Sequence, residues 1–274
     1  MQTSKARVLT ITSGKGGVGK SNTAVNLAVQ LCRLGKRVLI FDADLGLANV
    51  EVMFGAIPKY NLSDMIYRGR SIREIITPGP MDIGFISGGS GIMEMNNLTR
   101  EQIIYLTRSL SELDEMADFI LIDTGAGIAD SVMEFVLASQ EILLVSTPEP
   151  SSLTDSYSLL KALHRNPNFV KNGTRVNIIA NKVTSEEEGK AVFEKLNTVV
   201  SRFLNGNINY LGMVPQDTVL ERSVRQQKIV SLHAPKARAA QAYEILASNL
   251  VNDAQRKYVM KGGISQFLAN FINR

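Results

Sequence analysis

Residues 14–21 read Gly-Lys-Gly-Gly-Val-Gly-Lys-Ser, a glycine-rich run with one lysine near its start and another near its end. A short β-branched run, Val-Leu-Thr-Ile-Thr at 8–12, comes before it, and apolar residues recur at helical spacing after it. A strand, a glycine loop and a helix in this order are the context that a phosphate-binding loop requires. The glycines let successive N–H groups face one anion, and the helix N-terminus adds its dipole. The sequence therefore predicts a nucleoside triphosphate site.

The two lysines of the loop are expected to act differently. Lys20 is placed for the β- and γ-phosphates, and Ser21 for Mg²⁺. Lys15 lies near the start of the loop, where reaching the same γ-phosphate is difficult, so a phosphate in a neighbouring subunit is the better target. The alternative for Lys15 is a solvated loop lysine. The predicted nucleotide-binding residues of this segment are Gly14, Lys15, Gly16, Gly17, Val18, Gly19, Lys20, Ser21 and Asn22.

Two carboxylates follow the second predicted strand, residues 37–41. Asp42 and Asp44 are one residue apart, and alternate residues of an extended segment share a face, so both can point into one site. The carboxyl ends of strands are also where α/β sheets bind their ligands. The alternative is a pair of solvated turn aspartates, a common place for this residue.

The pattern Lys-Gly-Gly-x-Gly-Lys-Ser resembles the deviant Walker A loop of the MinD/ParA family of ATPases. The resemblance implies that Lys15 crosses the interface of a nucleotide-sandwiched dimer. It also implies that Asp44, in switch I, positions or activates the attacking water, while Asp42 helps to organise Mg²⁺ and its waters. The implied catalytic residues are Lys15, Asp44 and Lys20, and the implied metal residues are Ser21, Asp42 and Asp123.

A third predicted strand, residues 118–122, ends in Asp-Thr-Gly-Ala-Gly, which is similar to the Walker B and switch II segment of this family. Asp123 is expected to hold Mg²⁺ through a water, since Mg²⁺ keeps most of its hydration shell. Gly125 and Gly127 are expected to let the backbone move when the γ-phosphate arrives or leaves. Three strand ends thus converge on one predicted metal–phosphate centre.

Residues 181–184, Asn-Lys-Val-Thr, bear on the identity of the base. Related GTPases use Asn-Lys-x-Asp, whose aspartate accepts hydrogen bonds from guanine, and Thr184 is a poor substitute for that carboxylate. Adenine is therefore favoured, and ATP with Mg²⁺ is the predicted ligand. Asn181 is assigned to the base pocket, and Pro215 and Asp217, from a later strand and loop, are weaker candidates.

The chain of 274 residues, 45% of them apolar, is long enough for one large α/β domain. Alternating strands and helices predict a doubly wound, mostly parallel sheet with helices on both faces. Residues 1–257 are assigned to a MinD-like ATPase domain, and 258–274 to a linker and a C-terminal amphipathic membrane-targeting helix. Strands are predicted near 8–13, 37–41, 82–86, 118–122, 141–146, 175–180 and 209–214, and the clearest helices near 100–116, 153–164, 187–204 and 235–255.

Composition excludes several classes of function. Cys32 is the only cysteine, so the chain cannot supply the ligands that bridging iron–sulfur clusters need, and disulfides are excluded. His164 and His233 are isolated, which leaves a histidine metal site or a serine–histidine pair without support. The N-terminus shows no signal peptide and no apolar run spans a bilayer, so a cytoplasmic protein is expected. The net charge of +4 is modest.

The last eleven residues, 264–274, carry an apolar stripe at helical spacing formed by Ile264, Phe267, Leu268, Phe271 and Ile272. So short a helix is marginal alone in water and suits folding on a surface. The stripe, with Arg256, Lys257 and Lys261 upstream, predicts an interfacial anchor that binds the membrane in the ATP state. The alternative is that the helix packs on its own domain or in a groove of the dimer. The anchor and the docked helix are compatible if the helix is docked without ATP and ATP-driven dimerisation releases it.

Within the family, residues 41–55, 126–132 and 148–155 are similar to the flagellar number regulators, the FlhG/FleN/YlxH group. This resemblance implies a slow ATPase that regulates flagellar number or placement as a homodimer. The implied partners are the GTPase FlhF, C-ring components or a flagellar transcription regulator. Many members begin with a longer extension that stimulates FlhF; six residues precede the first strand here, so the resemblance does not extend to that activity.

Two rival functions share the same chemistry. A MinD-type division-site regulator would have the same terminal anchor. A ParA-type partitioning ATPase would bind DNA through basic residues on the dimer surface, and no specific nucleic acid is expected because the anchor argues against that function. The basic cluster compatible with DNA binding is Arg222, Arg225, Lys228, Lys236 and Arg238.

Overall fold

One sheet of eight strands forms the centre of the part of the chain that the structure describes. The structure is a computed structural model that describes residues 5–44, 49–88, 99–252 and 262–272. The strands are β1 (Arg7–Ser13), β2 (Val38–Ala43), β3 (Thr77–Pro78), β4 (Gly84–Ser87), β5 (Phe119–Ala126), β6 (Glu141–Ser146), β7 (Arg175–Val183) and β8 (Asn209–Pro215). Their order across the sheet is β3-β4-β2-β5-β1-β6-β7-β8. Every neighbouring pair is parallel except β3 and β4.

The predicted strands are confirmed, with two informative differences. The strand expected at 82–86 begins at Gly84 because a 3₁₀ turn, Pro80–Asp82, comes before it. β5 and β7 continue past their predicted ends, to Ala126 and Val183, so residues expected in loops lie at strand ends. The carboxyl edge of the sheet therefore carries more of the site than the sequence pattern indicated.

Helices connect the strands and cover both faces of the sheet. They are α1 (Lys20–Arg33), α2 (Asn49–Phe54), α3 (Leu62–Arg68), α4 (Ile72–Ile75), α5 (Arg100–Ser111), α6 (Leu113–Met116), α7 (Asp130–Ala138), α8 (Pro150–Arg165), α9 (Pro167–Asn172), α10 (Glu186–Phe203), α11 (Thr218–Arg225), α12 (Val230–His233), α13 (Arg238–Asn252) and α14 (Gly263–Ile272). The helix predicted at 100–116 is two helices that meet at Glu112. The one predicted at 235–255 begins at Arg238, and its last residues lie outside the described ranges.

The core is divided by the sheet. On one face α1, α12 and α13 pack against alternate residues of the central strands, such as Leu9 and Leu121. On the other face α3 to α7 and α14 cover the β2–β5 side, and α8 to α10 cover the β6–β7 side. Both faces of the parallel strands are buried, which explains their near-continuous apolar runs. The predicted doubly wound architecture is confirmed.

The amino edge of the sheet is held by a buried ion pair. Arg7 Nη2 lies 2.7 Å from Glu141 Oε1, and both side chains are almost fully buried. Asn177 Nδ2 donates to the same carboxylate at 2.9 Å, and Arg7 also donates to the Leu250 carbonyl. This network ties β1, β6, β7 and α13 together at the end of the sheet opposite the predicted site.

The C-terminal helix packs on the domain with its apolar stripe inward. Ile264, Phe267, Leu268 and Phe271 are all buried, in the same cluster as α5, α6, α7 and the β2–β5 side of the sheet. The helix predicted over 264–274 is thus present up to Ile272. Its stripe is covered by its own domain, as the alternative interpretation expected. The upstream cations at 256, 257 and 261 and the last two residues lie outside the described ranges.

Candidate nucleotide site

The loop between β1 and α1 has the backbone geometry of a phosphate cradle. Gly17 and Gly19 have φ values of 74° and 101°, in the left-handed region that favours glycine. At Gly14 a Cβ would lie 2.2 Å from the Asp155 backbone carbon, so the loop rests directly on α8. Gly17 and Gly19 are therefore required by backbone angle and Gly14 by close packing, whereas a Cβ at Gly16 would meet open space.

Lys20 opens α1 and is almost fully buried. Burial lowers the pKa of its ammonium, and the carboxylates of Asp123 and Asp44 oppose that effect. A buried cation between two carboxylates, at a helix N-terminus with free N–H groups, is arranged for a polyanion. The structure thus brings Lys20 together with Asp123 and Asp44, as the predicted convergence of strand ends requires.

Asp123 and Asp42 lie opposite each other at the carboxyl ends of β5 and β2. Asp123 has no exposed surface, and neither of its carboxylate oxygens has a hydrogen-bond partner among the described residues. Burial raises its pKa to about 7, opposed by the nearby Ser21 hydroxyl, which stays outside hydrogen-bond geometry, and by the charge of Lys20. A buried, unpartnered carboxylate beside Ser21 fits a Mg²⁺ ion with its waters. No group of three or more metal-ligating side chains occurs among the described residues, so phosphate oxygens and waters would complete such a shell.

Asp42 and Asp44 are placed differently from each other. Asp42 is buried and accepts hydrogen bonds from the backbone N–H groups of Asp44 and Val50, both at 3.2 Å. Burial raises its pKa to about 6. Its carboxylate therefore links the end of β2 to the first turn of α2. Asp44 lines the cleft with Lys20 and Ser21, where a water-positioning group would have to be. Switch I residues 45–48 lie outside the described ranges.

Lys15 does not point into the cradle of its own subunit. Its ammonium lies 2.8 Å from Glu149 Oε2 and 2.7 Å from Ser151 Oγ, at the start of α8. Both Lys15 and Glu149 are partly exposed at the rim of the cleft. Lys15 is therefore not simply a lysine surrounded by water, because two specific partners hold its side chain.

A cavity of about 700 Å³ adjoins the loop on the side of β7 and β8. Asn181, Pro215 and Asp217, the residues assigned from the sequence to the base pocket, all line it. Asn181 Nδ2 donates to the Val18 carbonyl at 2.7 Å, which anchors the phosphate loop. The two carboxylate oxygens of Asp217 accept from the backbone N–H groups of Val219 and Ala239, so its position caps α11 and braces α13.

Several residues that line this cavity were not assigned to it from the sequence, among them Lys182, Glu188 and Glu149. Lys182 has a φ of 57° and donates from Nζ to the Gly17 carbonyl at 2.9 Å. Glu188 accepts from the backbone N–H and hydroxyl of Thr184, at 2.6 and 2.8 Å. Glu149 joins the cavity wall at the end of β6. Lys182 follows Asn181 in the same motif, so motif position was the signal available for it. Glu149 lies in the block 148–155 that resembles the flagellar regulators, so that block was the signal available for it, whereas Glu188 carried none.

Comparison with known proteins agrees with this geometry. The family model ParA, described as NUBPL iron-transfer P-loop NTPase, matches residues 4–251. The chain belongs to the ParA/MinD family of P-loop NTPases. It has the nucleotide-binding loop of the family. Its one cysteine, Cys32, is fewer than an iron–sulfur cluster needs as ligands.

Two curated relatives of this ParA/MinD family member cover most of the chain. The antiactivator FleN of Pseudomonas aeruginosa is 40% identical over 89% of this chain and 86% of FleN. The flagellum site-determining protein YlxH of Helicobacter pylori is 33% identical over 97% of this chain and 90% of YlxH. The predicted resemblance to the FlhG/FleN/YlxH group is confirmed.

Solved MinD structures share the fold of this family member. The cell division ATPase MinD of Pyrococcus furiosus superposes with a TM-score of 0.71 at 25% identity, covering 91% of this chain and 100% of that one. The septum site-determining protein MinD of Pyrococcus horikoshii, solved with Mg-ADP, superposes with a TM-score of 0.70 at 25% identity, covering 92% and 98%. None of the described helices of this family member is long and apolar enough to cross a membrane.

Proposed function

We propose that this chain is an ATP-dependent, dimerising and membrane-associating switch that regulates flagellar number or placement. The observation that carries the proposal is the 40% identity to FleN over 89% of the chain. Identity to the MinD structures is 25%, so the flagellar regulators are favoured over a division-site function. The complete phosphate loop, with both lysines, supports an active ATPase.

In this proposal each subunit binds a triphosphate, and residues of both subunits contact it. Lys20 and the N–H groups of the loop bind the β- and γ-phosphates in their own subunit, and Lys15 reaches across to the partner's nucleotide. Ser21 and Asp123 would hold Mg²⁺, which supplies charge neutralisation at the phosphates when bound. Asp44 orients the attacking water, while Asp42 fixes the backbone of Asp44 and would help to organise Mg²⁺ and its waters. Hydrolysis is slow because no side chain among them is placed as a strong base.

Thr184 supports ATP over GTP as the ligand, with Asn181 and Pro215 as further candidates for the base pocket. Both line the cavity next to the loop, and Thr184 stands where guanine-specific relatives carry an aspartate. Asp217 contributes by fixing the loop after β8 through its two backbone contacts. Competition binding to the purified chain tests this assignment, and tighter binding of GTP than of ATP would overturn it.

The docked α14 supports regulated membrane binding in this proposal. Its apolar side chains would each gain about 1.5–3 kcal/mol from burial, so the undocked stripe is not left in water. It is either on the domain or in a lipid surface. The helix lies against α7, the first helix after the switch II glycines Gly125 and Gly127. We therefore infer that dimerisation on ATP shifts α7 and releases α14 to the membrane.

A deletion strain tests the biological part of the proposal. Loss of this gene should change the number or position of flagella, scored by electron microscopy, with cell length and minicell frequency unchanged. Minicells with normal flagella would favour the MinD-type function. Salt-sensitive shifting of nonspecific DNA by the ATP-bound protein would favour the ParA-type function instead. Pull-downs against the GTPase FlhF, C-ring proteins and a flagellar transcription regulator would then identify the partner.

A further inference from the structure

The Lys15 side chain is held by a small site built from its own subunit. Glu149 Oε2 and Ser151 Oγ lie within 2.8 Å of its ammonium. The Lys15 carbonyl accepts a hydrogen bond from Ser13 Oγ at 2.7 Å, which fixes the backbone from which the side chain leaves. The ammonium therefore has two defined partners, and the backbone that carries the side chain is fixed, unlike that of a free surface lysine.

The segment that carries Glu149 and Ser151 is itself well anchored. Thr147 N donates to Ser152 Oγ at 3.0 Å, and the hydroxyl of Ser146 contacts those of Ser152 and Ser156. The start of α8 is thereby tied to the end of β6 by buried serine hydroxyls. Because Gly14 packs on the backbone of the same helix, the loop and the Lys15 partners keep a fixed spacing.

The side chains of the charge pair are accessible to a second copy from solvent. The Lys15 and Glu149 side chains are 35% and 58% exposed. Glu149 also lines the 700 Å³ cavity, so its carboxylate faces the cleft that would bind nucleotide. A cation that contacts a phosphate in another subunit has to exchange its present anion for that phosphate.

We propose that Glu149, assisted by Ser151, retains Lys15 in its own subunit, and that the triphosphate bound to a second copy must displace Glu149 from Lys15 before the dimer closes. Glu149 thus sets the protein concentration at which ATP produces dimers. This inference rests on the proposed function, because it needs Lys15 to act across the interface.

The size of the effect follows from the exposure of the pair. Exposed ion pairs shift an equilibrium by a factor of about 1.4 to 5.4 each. A symmetric dimer releases two of them, so removing the Glu149 charge should tighten dimerisation about 2- to 30-fold. The gain should shrink in high salt, since exposed pairs are screened.

Sedimentation velocity with Mg²⁺ and a non-hydrolysable ATP analogue tests the inference over a range of protein concentrations. Glu149→Gln keeps the shape of the side chain and removes its charge, and we expect its dimer dissociation constant to fall about 2- to 30-fold. Ser151→Ala, which removes one hydrogen bond and no charge, should give a smaller decrease. Glu221→Gln is the matched control, because it removes a negative charge from the same cavity wall without touching Lys15.

Three results would overturn the inference. If Glu149→Gln dimerises with an unchanged constant while the wild type dimerises normally, Glu149 does not oppose the partner's phosphate. If it dimerises more weakly, Glu149 acts inside the dimer. If Glu221→Gln tightens the dimer equally, the tightening comes from the loss of any negative charge on the cavity wall and not from the release of Lys15. A wild-type chain that stays monomeric at every concentration would overturn the proposed function as well.

Discussion

The ring of Phe135 lies 5.0 Å from the ring of Phe271, centroid to centroid, in the contact between α7 and the C-terminal helix α14. Phe135 follows Gly127 by eight residues along the chain, and Gly127 has a φ of 90°. Gly127 N donates to the Ser13 carbonyl at 2.8 Å, next to the phosphate loop. The nucleotide cleft and the surface under α14 are therefore joined by one short covalent segment.

Loosening α14 should expose its apolar stripe to lipid without nucleotide. Asp114 Oδ1 accepts from the Ile264 backbone N–H at 2.9 Å, and Oδ2 from the Ser265 hydroxyl at 3.3 Å. Asp114→Ala removes both bonds from the start of the helix, at a cost of about 0.5–2 kcal/mol. We expect the apparent partition constant for anionic liposomes in the absence of ATP to rise about 2- to 30-fold.

Glu115→Ala is the matched control for this change. Glu115 is exposed on the same helix, α6, and its side chain makes no contact with α14 among the described hydrogen bonds and ion pairs. Liposome binding of Asp114→Ala equal to that of wild type and of Glu115→Ala would show that docking of α14 does not limit membrane binding.

Asp123→Asn should uncouple Mg²⁺ from nucleotide binding. The carboxylate is buried and neither oxygen has a hydrogen-bond partner among the described residues, so a metal shell would satisfy oxygens that the protein leaves unbonded. At ligand 100-fold above its dissociation constant, binding stabilises a protein by about 2.7 kcal/mol. We expect the Mg²⁺-dependent part of the ATP thermal shift to disappear in the variant, with stability of the nucleotide-free protein unchanged or higher. A full Mg²⁺-dependent shift in Asp123→Asn would rule out this residue as the metal carboxylate.

The buried pair at the amino edge should matter for stability and not for the site. Glu141→Gln leaves the Arg7 guanidinium buried without its counter-charge, which typically costs about 3–5 kcal/mol. Urea unfolding followed by circular dichroism measures this loss. Glu186→Gln breaks an exposed helical pair with Lys190 and serves as control, with a much smaller expected loss because water screens the pair. Equal losses in the two variants would contradict the buried role of Glu141.

Asp44→Ala should trap the ATP-bound dimer. Asp44 lines the phosphate side of the cleft, and its loss removes the group that orients water without removing Lys20 or the loop. Phosphate release should fall by at least about 10²-fold, the usual range for a lost proton-transfer or water-positioning group. A monomeric Asp44→Ala variant with normal turnover would show that hydrolysis depends on another residue.

The phosphate side of this site was predictable from the sequence because each of its parts is local. Glycines with positive φ, a lysine at a helix start and aspartates at strand ends all follow from motif and periodicity. The same holds for the parallel sheet, since β-branched runs alternate with helical spacing. These features need no information about which distant residues meet.

The parts that sequence did not supply depend on distant contacts. Glu149 follows Lys15 by 134 residues, and Asp114 precedes Ile264 by 150. The apolar stripe at the C-terminus predicted a buried face correctly, but periodicity does not say whether lipid or protein covers it. Likewise Asp217 was expected at the base, and the contacts to Val219 and Ala239 show its carboxylate bracing two helices.

Light scattering of the chain with Mg²⁺ and a non-hydrolysable ATP analogue tests most directly whether two copies join around the bound triphosphates. We expect the wild type to shift from 30.0 kDa to twice that mass. Lys15→Ala should bind the analogue and remain at the monomer mass, whereas Lys20→Ala should fail to bind it. A wild-type monomer saturated with analogue, or a Lys15→Ala dimer, would contradict the shared site.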